Sequence, residues 1–228
     1  MRKCLHFDDK LRRNRNDKLA PIRYIVELFN GSLKEVYTPG PLLCVDEQLI
    51  EYHGRVAFRQ YIPTKPGKFG IKVFWLVDAE NNFPLKCLFY IGGPKLSEKE
   101  KNNANSIPEA VVFNICEDYL SCGRNITIDN WFTSGNLAER LLDHRTTLMG
   151  TIRRNSRHIP PAAKCTDSRR RKDCRHYGNN KHVLCSFWEK ANAPVLLLYT
   201  MHSNLFVLME ISLKLSNFST KRKLEWTL

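Results

Sequence analysis

Apolar positions recur along this chain at two different periods. From Asn16 to Val36 they fall at helical spacing, with Leu19, Ile22, Ile25, Val26, Phe29, Leu33 and Val36 forming one stripe. Asn16 or Asp17 can cap that helix, Pro21 sits early enough to be tolerated, and Gly31 weakens the last turns. "TPGP" then breaks the chain, and "LLCVD" follows as a strand that finishes on Asp46. "FGIKVFWLV" and "FPLKCLFYI", joined by "DAENN", have the β-prone sides of an antiparallel hairpin. A polar stretch, "GGPKLSEKEKNNANS", leads to "IPEAVVFNICEDYLSCG", which has helical spacing and ends on Gly123 as a C-cap. A strand over 124–129, a helix near 133–144 and a strand over 146–153 complete the run.

The predicted order is β-β-β-α-β-α-β. Three strands followed by alternating helix and strand give a mixed α/β sheet flanked by helices, and this order fits a ribonuclease H-like fold. In such a fold the first and fourth strands lie side by side and parallel. Asp46 and Asp129 then emerge from neighbouring carboxyl ends of strands, where open α/β sheets place their sites. Two carboxylates there make a hard-oxygen site suited to Mg²⁺ or Mn²⁺. Spacing alone leaves a plainer reading open, because an aspartate after a strand is commonly a turn residue or a helix cap.

Composition narrows the class. The 43% hydrophobic fraction over 228 residues is enough for a packed core, and no stretch has the apolar length of a membrane span. "MRKCLHFDDK" lacks the apolar region of a secretory signal, and the eight cysteines include no C-x-x-C pair. The expectation is an intracellular, reduced protein whose thiols are small buried groups.

The net charge of +13 is concentrated: residues 153–182 hold ten Lys/Arg against two Asp, and residues 1–18 hold seven against three. A nearly neutral body with two basic segments suggests a polyanion partner, most simply nucleic acid, although basic loops are also merely solvated. "SRRRKDCRH" is the densest run, suited to nuclear import or to phosphate contacts. Cys165, Cys174, His176, His182 and Cys185 invite a zinc reading, but their spacings lack paired ligand knuckles, so zinc is not expected. Trp131 and Phe132 read as core packing that fixes Asp129 rather than as a stacking platform for bases.

Five stretches occur together and in order: "DKLAPIR", "YTPGPLLCVDEQLIEYHGRVAFRQYIPTKPGKFGIKVFWLVDA", "GRNITIDNWFTSGNLAERLL", "TLMGTIRRNSRHIPP" and "VLLLYTMHSN". They resemble the catalytic core of the piggyBac transposases and their transposable element-derived relatives, from Asp17 to about Asn204. The resemblance implies the ribonuclease H-like fold and DNA cutting and joining by three aspartates with two divalent ions. Asp46 in "VDEQL" matches the first family aspartate and Asp129 in "IDNWFTS" the second, as catalytic and metal-binding residues. The family's third lies in a "GGVD" segment beyond the "TMH" strand, and "LFVLMEISLKLSNFSTKRKLEWTL" contains no aspartate.

The expected organisation is a basic N-terminal segment and lead-in helix (1–40), a transposase core (41–157), a basic insertion (158–204) and a divergent tail (205–228). Candidate DNA contacts are Arg55, Arg59, Lys65, Lys68, Arg153, Arg154, Arg169, Arg170, Arg171 and Lys172, though lysines on strand faces also serve as edge protection. The chain reads as a nuclear, DNA-binding remnant without strand-transfer activity, binding Mg²⁺ or Mn²⁺ weakly. A homodimer stays open, and neither a membrane nor a small-molecule substrate is expected. The alternative is an active transposase or nuclease whose third carboxylate comes from another residue or another chain.

Overall fold

The computed structural model describes residues 7–92, 106–157, 159–165, 173–179, 181–190 and 193–201. They divide between two compact units, Met1–Tyr119 and Leu120–Leu228. In the first, helix α1 (Arg23–Val36) precedes strands β1 (Leu42–Glu51), β2 (Gln60–Tyr61), β3 (Phe69–Asp78) and β4 (Pro84–Phe89), and then helix α2 (Ile107–Cys116). The second contains β5 (Asn125–Ile128), α3 (Gly135–Asp143), β6 (Thr147–Thr151), the short α4 (Pro161–Lys164), β7 (Cys174–Gly178), β8 (Val183–Lys190) and β9 (Ala193–Tyr199).

In the first unit β3 is the shared strand. β1 lies antiparallel to it from Leu43↔Asp78 to Glu51↔Gly70, while β4 and the two-residue β2 also pair with it. Gly70 is required at the far end of this pairing, because a Cβ there would run into the carbonyl oxygen of Ile50. Leu43, Val45, Phe74, Leu76 and Leu85 are almost fully buried, so the alternation of apolar positions in these strands builds one core face. Helix α1 lies beside β4. Its Asn30 takes both backbone groups of Cys87, donating from Nδ2 to the carbonyl at 3.0 Å and accepting from the amide at 2.9 Å. A side-chain amide thus covers strand groups that would otherwise stay open.

Two expectations for this region need correction. Helix α1 starts at Arg23 and not near Asn16, because Asp17 has another task. Its carboxylate accepts from the Leu19 amide at 3.0 Å and from Arg23 Nε and Nη2 at 2.6 and 2.7 Å, which closes a turn ahead of the helix. The hydrogen bonds from Arg23 hold the Asp17 carboxyl below its ordinary range. The helical stripe is also less buried than its spacing implies: Leu19 and Leu33 are buried, but Ile25, Phe29 and Val36 are exposed. Similarly, the second helix stops at Cys116 and passes into a 3-10 turn (Glu117–Tyr119), so Gly123, at φ +71°, closes a later turn and not the helix itself.

The second unit is a mixed sheet. β5 and β6 are parallel, in register from Asn125↔Thr147 to Ile128↔Gly150, whereas β9 runs antiparallel to β6, β8 to β9 and β7 to β8. Helix α3 is the crossover that parallel pairing requires. Ser134 caps it, its Oγ accepting from the Leu137 amide at 3.1 Å, and Leu137, Ala138 and Leu141 turn inward. The expected β-β-β-α-β-α-β order is therefore present, with β2 added before β3 and the β7–β9 meander following β6.

The carboxylate of Asp78 is the most committed polar group of the first unit. It is fully buried, and it accepts from Tyr37 Oη at 3.0 Å, the Gly40 amide at 2.8 Å, the Glu80 amide at 2.8 Å and the Asn81 amide at 3.3 Å. Burial works to raise its pKa, but the four hydrogen bonds outweigh it and leave the group below the ordinary carboxylate range. A depressed folded-state value adds stability that is complete above the unfolded value and disappears as pH falls through the folded one. Asp78→Asn should lower unfolding stability near neutrality by about 1–3 kcal/mol, since an amide cannot accept from all four donors. Urea midpoints for the variant and the natural chain should converge on acidification, and a constant gap at every pH would contradict this account.

Candidate metal and nucleic-acid site

Asp46 does not end its strand, contrary to the sequence expectation. It stands at the middle of the ten-residue β1, opposite Trp75 on β3. The strand continues because Glu47, Gln48, Leu49 and Ile50 keep their partners on β3 even after the apolar run is over. The Asp46 side chain is exposed, and one of its oxygens accepts from the Glu47 amide at 2.7 Å. Beside it, Trp75 Nε1 donates to Gln48 Oε1 at 2.9 Å, and the Trp75 ring meets Phe29 of α1 edge-on at 6.4 Å. Burial first, and then the Asp46 carboxylate, push the Cys44 thiol up to about 11.

Glu47, the next acid in "VDEQL", is differently placed. It pairs with Lys72 and, at 3.8 Å, with Lys65, and the Lys72 ammonium also lies 4.9 Å from the centre of the Phe74 ring. Its charge is taken up inside the first unit.

Asp129 follows β5 directly, at the carboxyl end of a parallel strand, as expected. Its backbone carbonyl accepts from the Phe132 amide at 3.1 Å, the Thr133 amide at 3.2 Å and Thr133 Oγ1 at 2.9 Å. Its exposed carboxylate accepts from Thr151 Oγ1, at the end of β6, at 3.1 Å. Phe132 is buried, as read for it, while Trp131 is half-buried and meets it edge-on at 4.7 Å. Sequence reasoning missed Thr133, Thr151 and Gly150 as supports. A Cβ on Gly150 would collide with Thr133 Oγ1 and the Ile128 carbonyl, so the turn carrying Asp129 lies directly over this glycine.

Each aspartate is thus an exposed, oriented hard-oxygen donor of the kind that Mg²⁺ and Mn²⁺ accept. Asp46 belongs to the first unit and Asp129 to the second. A pocket in the second unit lined by Ile152, Pro160, Tyr177, His182 and Leu198 has no carboxylate in its lining.

The predicted DNA contacts differ in how committed they are. Arg55, Lys68 and Arg153 are exposed. Arg59 donates to the His53 carbonyl at 3.2 Å and lies 5.3 Å from the Phe69 ring centre, and Arg154 donates to the Lys164 carbonyl at 2.8 Å. Lys65 shares Glu47 with Lys72. Arg169, Arg170, Arg171 and Lys172 lie outside the described residues, as does the tail read for 205–228.

A parallel strand pair with a crossover helix, an antiparallel extension and an aspartate at the first strand's carboxyl end make a mixed α/β core consistent with a ribonuclease H-like fold. A transposase family model, described as "Transposase IS4", matches residues 1–223, which runs past Asn204 where the motif resemblance stops. A solved piggyBac transposase, in a synaptic complex with hairpin DNA, is 35% identical with a TM-score of 0.81 over 89% of this chain and 42% of its own. The chain belongs to the piggyBac transposase family, has its ribonuclease H-like mixed α/β fold, and spans less than half the length of that relative. Endonuclease V of Bacillus subtilis aligns over 96% of this chain and 99% of its own at 11% identity and a TM-score of 0.32, too low to bear on the fold. Among the described residues, no helix is long and apolar enough to cross a membrane.

The support under Asp129 can be probed without touching the acid. Gly150→Ala should destabilise the chain by about 1–3 kcal/mol through overpacking. Hydrogen exchange at the Phe132 and Thr133 amides should accelerate with it. Unchanged exchange at both amides would mean that the turn does not rest on Gly150.

Proposed function

We propose that this chain is a DNA-binding derivative of a cut-and-paste transposase core that does not itself cut or join strands. The observation that carries the reading is a family-matched frame in which two of the family's acids are identified and the stretch after the "TMH" strand supplies no third. Asp46 and Asp129 are present and exposed, while residues 205–228 contain no aspartate. DNA as the partner is supported by the hairpin DNA in the solved relative and by the two basic segments. Nuclear location follows from a DNA partner, and the synaptic assembly of the relative supports self-association.

In this reading Asp46 and Asp129 are each an oxygen ligand for a divalent ion. Thr151 fixes the rotamer of Asp129, and the Glu47 amide that of Asp46, so both present oxygen in a set direction. Divalent ions in such enzymes activate the attacking oxygen and stabilise the leaving one. Two carboxylates balance the charge of one such ion, and a pair of ions requires a further anchor. The chain therefore binds Mn²⁺ or Mg²⁺ weakly and positions DNA without cleaving it.

Binding and cleavage separate the two functional classes. Duplex DNA should bind with a steep salt dependence, and neutralising Arg169, Arg170, Arg171 and Lys172 should flatten the slope by about one unit per lost phosphate contact. Plasmid nicking with Mn²⁺ should stay at background for the natural chain, Asp46→Asn and Asp129→Asn alike. Nicking that vanishes in both variants would make the chain an active enzyme. A filter-binding slope unchanged by the four substitutions would remove that segment from the interface.

A further inference from the structure

Zinc was not expected from the sequence, because Cys174, His176 and Cys185 lack the spacing of a ligand knuckle. The β7–β8 hairpin supplies what the spacing does not. Cys174 and His176 alternate onto one face of β7, and the register places His176 directly opposite Cys185 on β8. Cys174 Sγ lies 3.1 Å from Cys185 Sγ and 3.4 Å from His176 Nε2, and the three ligand atoms all fall within 4.8 Å of one another.

The surroundings are those of a built site. Cys185 is buried in an apolar cluster with Phe187, Leu197 and Tyr199, against which Cys174, Met149 and Val183 also pack. Within the described residues, His176 Nδ1 and the Tyr199 hydroxyl are buried with no hydrogen-bond partner. A buried imidazole nitrogen and a buried phenol without hydrogen-bond partners are costly unless something engages them.

We propose that Cys174, His176 and Cys185 bind one Zn²⁺ ion that clips β7 to β8, with a solvent oxygen as fourth ligand. Tetrahedral zinc with ordinary bond lengths sets sulfur–sulfur and sulfur–nitrogen edges of about 3.8 and 3.5 Å. Small side-chain rotations open the observed 3.1 and 3.4 Å to those values. Thiolate and imidazole donors select zinc over the hard cations suited to Asp46 and Asp129. On binding, each thiol gives its proton to solvent as its sulfur–zinc bond forms, and the imidazole contributes a neutral lone pair. The resulting complex has no net charge, which suits its burial. The clip also anchors the chain just after the basic run, since Cys174 follows Lys172 by two residues.

The test is a titration of the reduced, purified 228-residue chain with Co²⁺ and then Zn²⁺. We expect thiolate-to-cobalt charge-transfer absorption that saturates at one equivalent and is displaced by Zn²⁺ but not by Mg²⁺. Cys174→Ser and Cys185→Ser should each abolish it while keeping the circular dichroism spectrum. Cys122→Ser, an exposed cysteine elsewhere, and Asp46→Asn should retain it. X-ray absorption at the zinc edge of the natural chain, which needs no variant to fold, should show a mixed sulfur and nitrogen shell. A shell of oxygen and nitrogen alone, no cobalt–thiolate band in the natural chain, or a band that survives Cys174→Ser would each overturn the assignment.

Discussion

The first unit depends on the buried carboxylate of Asp78. Four donors reach it from three places: Tyr37 at the end of α1, Gly40 in the "TPGP" turn, and Glu80 with Asn81 in the β3–β4 turn. Because Asp78 is also the β3 partner of Leu43, the same residue fixes where β1 begins and in which register it pairs. A slip of one residue would exchange the faces of β1, burying Asp46 and exposing Val45. Stacking of Tyr37 on Phe83, with centroids 4.3 Å apart, encloses the carboxylate and strengthens its hydrogen bonds in a region of low polarity. The exposure of Asp46 is thus set three residues up the strand, where Asp78 pairs with Leu43.

Elements whose signal is local were legible in the sequence. The β3–β4 hairpin, the strand before Asp129, the Ser134-capped helix and β6 each follow from apolar alternation or from a capping residue beside a periodic run. What escaped was decided by partners distant in sequence. Asp78 sits in "DAENN" and reads as a turn residue, because the donors from Tyr37 and Gly40 lie some forty positions earlier. Helix α1 starts late because Asp17 pairs with Arg23 instead of capping the first turn, a choice that spacing cannot reveal. Asp46 reads as a strand end since the apolar run stops at Val45, yet backbone pairing to β3 is indifferent to side-chain polarity. The Cys/His residues were legible as a group but set aside on spacing, because eleven positions separate Cys174 from Cys185 and only hairpin register brings them together.

Charge in this chain is partly spent on its own folding. Arg13 pairs with Asp8 at 2.5 Å, Arg23 with Asp17 at 2.6 Å, and Lys34 with Asp118 at 2.6 Å, while Lys65 and Lys72 converge on Glu47. Exposed pairs such as Lys34–Asp118 add little to stability, but they do reduce the cations left to meet phosphate. The net charge therefore overstates the surface on offer to a polyanion, and position along the chain is the better guide. Arg55, Lys68 and Arg153 remain exposed, and the run from Arg169 to Lys172 holds four cations without an intervening acid.

Hard and soft donors are kept apart in this fold, and that separation has a chemical consequence. The carboxylates sit exposed at a strand centre and a strand end, where water can complete the shell of a cation that gives up its hydration reluctantly. The thiols sit in an apolar layer, where water is scarce and a neutral thiolate complex is favoured over any aquo ion. On the metal assignments proposed above, the strand register that exposes Asp46 and the hairpin register that buries Cys185 would present hard and soft donors in different surroundings.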